Sequence, residues 1–152
     1  MLLTSSDLLD KVNGRISTVG IGRPDGLYAP IRYSLSAGGK RIRPVLMLLA
    51  YNMYRDDVDS IMENALGLET YHNFTLLHDD LMDNAGVRRG TPTVHKKWNA
   101  NTAILSGDAM LILAYKLMCG GKALRYPAAL EAFTDAALGV CEGQQYDMEF
   151  ET

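Results

Sequence analysis

The sequence has little of what marks an extracellular, membrane-spanning or nucleic-acid-binding protein. Only two of its 152 residues are cysteine, Cys119 and Cys141, with no C-x-x-C pair. That excludes a disulfide framework and fits buried thiols in a reducing compartment. No apolar run reaches the length of a membrane span, and the best candidate is bracketed by Asp108 and Lys116. The formal net charge is −3, so a general nucleic-acid footprint is not indicated. Met1 to Lys11 lacks the basic start and long apolar stretch of a signal peptide. The expectation is a soluble, cytoplasmic chain. No internal repeat, low-complexity tract or alternating β-branched run of strand length stands out. The sequence also offers no Ser/His/Asp or Cys/His set for nucleophilic catalysis.

What is present reads as helix. Apolar residues make up 47% and charged residues 22%, enough for one domain with a real core. Ser5 or Ser6 can cap a first helix running to about Thr18. Gly20 to Ala29, with Pro24 and Pro30 at its end, reads as a loop before a short helix over 31–35. Gly38-Gly39 breaks that helix. Pro44 fits the first turn of the next, which runs to about Tyr54, apolar on most sides and expected to be buried. A long helix is expected from Val58 to Asn84. Thr91-Pro92 opens a short helix to Trp98, Thr102 to Met118 forms another ending at Gly120-Gly121, and the last runs from Pro127 towards Phe150. The class is an all-α bundle. Asp147 to Thr152 is still helix-like, without a stop signal, and the expectation is a truncated chain.

Three features carry chemistry. Asp79-Asp80-Leu81-Met82-Asp83 places three carboxylates on one arc of a helix, where they repel one another unless a divalent cation intervenes. Hard oxygen ligands suit Mg²⁺, which substrate phosphates usually complete. A lone D-D-x-x-D is more often a solvated face. Here His72 and Leu68 continue the same side of the helix, as a pocket wall would. Arg88-Arg89 follows closely; adjacent arginines are usually surface charge but can also grip phosphate oxygens. Gly38-Gly39-Lys40-Arg41-Ile42-Arg43-Pro44 puts three cations at a helix start. They ask for a counter-anion, phosphate being the simplest, or else are held by surface ion pairs. Gln144 and Asp147 read as a polar pair, Lys96-Lys97 as surface, and His95 as a packed structural histidine or a supporting group. The methionines fit core filling.

Taken in order, these motifs, with Pro92-Thr93-Val94-His95, Gly107-Asp108 and Gly143-Gln144, resemble the trans-isoprenyl diphosphate synthases, or polyprenyl synthetases. The resemblance implies an isoprenoid-synthase helical bundle around a central cavity, with residues 1–152 as the N-terminal part of a single domain. It implies a homodimer, Mg²⁺ as cofactor, and isopentenyl diphosphate and an allylic diphosphate as substrates. Asp79 and Asp83 would ligate Mg²⁺, with Asp80 supporting them. Arg88 would contact the allylic diphosphate. Gly39, Lys40, Arg43, His72 and Arg89 would hold the diphosphate of isopentenyl diphosphate, and Gln144 and Asp147 would face the active site. Phe74 and Thr75, just before the aspartates, would set product length at about C15–C20. The family's second aspartate-rich motif has no counterpart before Thr152. The alternative is therefore a catalytically incomplete fragment or subunit that needs a partner chain. A terpene cyclase is a weaker rival, because it does not need the Gly-Gly-Lys-x-x-Arg segment. An unrelated helical interaction protein must treat the ordered motifs as coincidence.

Overall fold

A computed structural model describes residues 2–120 and 126–151. It contains seven α-helices: α1 (Ser5–Ile16), α2 (Asp25–Ser36), α3 (Ile42–Asn52), α4 (Met62–Met82), α5 (Val94–Lys97), α6 (Ala100–Met118) and α7 (Tyr126–Phe150). A 3₁₀ turn, Val58–Ile61, leads into α4. A short antiparallel hairpin, β1 (Val87–Arg88) and β2 (Thr91–Pro92), follows it. Among these residues no helix is long and apolar enough to cross a membrane.

Helix α4 is the hub and packs on α6, α3, α1 and α2. Leu8 and Val12 of α1, Ile31 of α2, Leu48 of α3, Leu66 of α4 and Met110 of α6 are fully buried in one cluster. Each such side chain contributes roughly 1.5–3 kcal/mol on leaving water. A second cluster joins α4 to α7 through Tyr71, Phe133 and Ala137. The Tyr71 hydroxyl donates to the Ala137 carbonyl at 3.1 Å. Three buried polar side chains of α4 bond to backbone carbonyls: Thr70 Oγ1 donates to Leu66, Asn73 Nδ2 to Glu69 and Asn64 Nδ2 to Met118, while Asn64 Oδ1 is left without a partner among the described residues. These bonds let a helix with a polar stripe run through the core.

Several boundaries differ from the sequence expectation. Thr4, with Asp7 closing a capping box, caps α1 in place of Ser5 or Ser6. Residues 25–30, expected as loop, belong to α2, with Pro30 inside the helix. Pro30 is buried beside Ile31 and Leu35, and packing of that face outweighs one missing backbone hydrogen bond. Helix α6, expected from Thr102, begins at Ala100 with Asn99 as its cap. The expected helix over 58–84 is split at Met62, and residues 91–92 form a strand where a helix start was expected. Gly121 and Thr152 lie outside the described residues. Helix α3 is not buried all round: Leu46 is 58% exposed. Cys119 and Cys141, expected to be buried, are both exposed.

Candidate functional site

The site is built around the C-terminal half of α4. Asp79 lies in its last turn, and Asp83 caps it, donating its backbone N–H to the Asp79 carbonyl at 2.8 Å. Burial, and next the neighbouring Asp83, push the Asp79 carboxyl above the usual carboxylate value, against the pull of Arg88. Among the described residues no side chain hydrogen-bonds or ion-pairs with either carboxylate. Asp80 faces another way. It is 5% exposed, and both its oxygens accept from Arg88, at 2.7 Å from Nε and 2.8 Å from Nη2. The three aspartates therefore do not act as one set: Asp80 compensates an arginine, while Asp79 and Asp83 leave negative charge without a protein cation in contact. Among the described residues no three His, Cys, Asp or Glu side chains are arranged to hold a metal ion by themselves. Two carboxylates with room for other oxygens are the donor set that Mg²⁺ takes together with substrate phosphates. The residues present thus fit that ion.

The cationic residues meet beside α4. Gly39, Lys40, Arg43, His72 and Arg89 line one cleft of about 500 Å³. The hairpin delivers Arg89: its turn, Arg89-Gly90, has φ of 50° and 80°, so both residues lie in the left-handed region that a two-residue turn requires. The Arg89 guanidinium bonds to the Gly38 carbonyl. It also lies over Gly39, where an added Cβ would stand 2.8 Å from Nη1. Gly39 has φ 133°, a backbone conformation that requires glycine, whereas the Arg89 tip could swing aside. Arg41 departs from the sequence expectation. It turns inward, is 5% exposed, and pairs with Glu69 at 2.7 Å. It is thus not one of the cations awaiting an anion.

His72 stands where Arg43 Nη1 approaches its Nε2 at 3.3 Å. An arginine only donates, so this contact requires a neutral ring accepting at Nε2. Burial, and then Arg43, hold the imidazole below its ordinary pKa. An anion entering the cleft reverses the second influence. Pyrophosphate binding is therefore expected to raise the His72 pKa, read from the ring proton shifts in an NMR pH titration. An unchanged or lower value would remove His72 from the anion's surroundings.

On the other side of His72 and Arg43 lies an apolar trough of about 450 Å³. Leu68, Tyr71, Thr75, Leu76, Phe133 and Val140 line it, together with Asp79. Tyr71 and Phe133 meet edge to face at 5.3 Å. Thr75 lines the trough, whereas Phe74 sits behind it, 5.5 Å from the Tyr71 ring and 4.8 Å from His78. Gln144 is half-buried and Asp147 exposed on α7, and neither lines the cleft or the trough. His95 is half-buried and Lys96 and Lys97 are exposed, with Lys97 over the Tyr33 ring. The sequence reading missed Glu69, Tyr71 and Phe133. A carboxylate at position 69, amid Ala65, Leu66, Leu68 and Tyr71, was a signal that a buried cation had to come from elsewhere.

Known proteins share this fold. The chain is 37% identical to geranylgeranyl diphosphate synthase of Methanosarcina mazei, over all of this chain and 49% of that one. It is 38% identical to the short chain isoprenyl diphosphate synthase of Methanocaldococcus jannaschii, over 99% of this chain and 46% of that one. A crystal structure of geranylgeranyl pyrophosphate synthase superposes with a TM-score of 0.94 at 46% identity, covering 99% of this chain and 46% of the other. The chain thus spans about half the length of the curated relatives it matches. The match to polyprenyl synthetases runs over residues 24–152, the stretch that holds the cleft, the trough and the aspartates, and the chain belongs to that family.

Proposed function

We propose that this chain carries the diphosphate-binding face of a Mg²⁺-dependent prenyltransferase that condenses isopentenyl diphosphate with an allylic diphosphate, giving a short-chain product of about C15–C20. One observation carries the reading. Arg43 and His72 line both a cationic cleft and an apolar trough, and Asp79 lines the trough with them. A diphosphate needs the first surface and a prenyl tail the second.

The roles follow from placement. Gly39, Lys40, Arg43, His72 and Arg89 hold the diphosphate of isopentenyl diphosphate. Asp79 and Asp83 hold Mg²⁺, which when bound supplies Lewis-acid neutralisation of the departing allylic diphosphate. Asp80 orients Arg88, and their paired bond uses two of the five guanidinium N–H groups, leaving others to face a phosphate. The trough walls exclude water from the reacting carbons. Phe74 supports Tyr71 from behind, so Phe74→Ala is expected to let the wall recede and shift the product to longer chains. An unchanged product distribution in an active enzyme would sink that role.

A second reading is a chain that needs a partner to complete the site. Ile112 is 69% exposed, Leu138 59% and Phe150 86%. Apolar side chains in that state favour burial against another chain, and a homodimer is the expected form. Cytoplasmic location accords with the absence of any disulfide among the described residues. The test is to incubate the chain with Mg²⁺, isopentenyl diphosphate and geranyl diphosphate and to extract prenyl products. Condensed product supports the first reading, and product only after a second polypeptide is added supports the second. No diphosphate binding and no product would overturn both.

A further inference from the structure

The floor of the cationic cleft is a buried ion pair that the reaction itself does not use. Arg41 and Glu69 line that floor, and each side chain is only 3% exposed. Nη1 of Arg41 donates to Glu69 Oε1 at 2.7 Å, and Nη2 to the Leu35 carbonyl at 2.6 Å. Asn73 Nδ2 donates to the same Glu69 oxygen at 3.0 Å. The pair thus ties the end of α2 and the start of α3 to α4.

What it ties down is an improbable backbone. Gly38, Gly39 and Arg41 have φ of 77°, 133° and 48°. Two of these are glycines, which enter that region without penalty. Arg41 is not, and an L residue stays there only when its surroundings over-determine it. The surroundings are the hydrogen bonds just named. The turn they enforce sends Arg41 inward and leaves Lys40 and Arg43 on the cleft. Arg41 also supplies the carbonyl that accepts the Val45 N–H and opens α3.

We infer that Arg41 and Glu69 are positioning residues: their pair holds the Gly38–Arg43 turn in the conformation that presents Lys40 and Arg43 to a diphosphate. The inference rests on the reading of the cleft as a diphosphate site. It has a consequence of unusual sign. Glu69 is a carboxylate in the floor of an anion site, so simple Coulomb attraction predicts that removing its charge tightens anion binding. Preorganisation predicts the opposite, because Arg41 loses its ionic partner and the turn loosens.

The experiment is calorimetric titration of the chain with inorganic pyrophosphate, in wild type and in Glu69→Gln. Glu69→Gln is expected to weaken pyrophosphate binding by about tenfold. Binding of geranyl diphosphate with Mg²⁺, which uses Asp79 and Asp83 further along α4, is expected to stay within about twofold. Unchanged or tighter pyrophosphate binding overturns the inference and leaves the diphosphate reading intact. Equal loss at both sites also overturns it, since that is general destabilisation. If Glu69→Gln fails to fold, Arg41→Met with Glu69→Met removes both charges together, a change that folded proteins often tolerate. The same selective loss is expected there. Wild type that binds no pyrophosphate, or binds it equally well after Arg43→Ala, removes the diphosphate reading and this inference with it.

Discussion

Asp79→Asn is expected to raise the thermal stability of the chain at neutral pH and, in the same sample, to weaken Mg²⁺-dependent diphosphate binding by at least about 100-fold. The second effect is the upper end of what loss of even a supporting metal contact causes. The first follows from the carboxyl's environment. Burial, then Asp83, raises the folded-state pKa of Asp79 above its unfolded value of 3.8. A group raised in this way contributes stability below its unfolded pKa and loses it as pH rises through the folded pKa. At neutral pH the ionised carboxylate is therefore a net cost, and the neutral amide of the same shape relieves it. The gain should be present at pH 7 and fade as pH falls towards 3.8. Ligand reverses the order. At 100 times its dissociation constant, geranyl diphosphate with Mg²⁺ stabilises the wild type by about 2.7 kcal/mol, and the variant gains little. Thermal melts at two pH values, with and without Mg²⁺ and geranyl diphosphate, check all of this. A variant that melts lower than wild type at pH 7, or that keeps the ligand shift, contradicts the role given to Asp79.

The helical class and the order of the motifs were legible because both are local. A periodic apolar pattern specifies a helix, and D-D-x-x-D and G-G-K-x-x-R are contiguous. What was illegible depends on distant residues. Pro30 reads as a breaker until Ile31 and Leu35 are seen to be buried with it. Arg41 reads as one more cation until Glu69, 28 positions away, is seen to take its charge. The hairpin turn is Arg89-Gly90, and arginine is not the residue whose preferences announce a left-handed turn. The trough wall pairs Tyr71 with Phe133 across α4 and α7, and nothing in the intervening sequence sets that distance. The separation of Asp80 from Asp79 and Asp83 is of the same kind. A helical wheel places all three on one arc, but the hairpin brings Arg88 to only one of them.

Gly67→Val is expected to lower the melting temperature by on the order of 10 °C, although valine is the better helix former. Two effects of opposite sign compete here. Glycine inside a helix costs about 1 kcal/mol relative to alanine, so alanine at an open site in α4 would stabilise. Gly67 is not at an open site. A Cβ there would stand 3.0 Å from the Ala114 carbonyl oxygen and 3.1 Å from the Met118 nitrogen. These are backbone atoms of α6, and they cannot swing aside as the end of a long side chain can. Overpacking of this kind costs about 1–3 kcal/mol, occasionally more. For alanine the two effects partly cancel, and Gly67→Ala is expected to lose up to about 2 kcal/mol. Valine adds two methyl groups to the clash and recovers only a few tenths of a kcal/mol of propensity, so the clash dominates. Gly139 on α7 is the control: an added Cβ there meets nothing within 4 Å. Gly139→Ala is accordingly expected to stabilise by up to about 1 kcal/mol. Urea unfolding of the three variants decides the matter. A neutral Gly67→Val would mean that α4 and α6 can separate freely, and then α4 would not hold His72, Thr75 and Asp79 at fixed positions between the cleft and the trough.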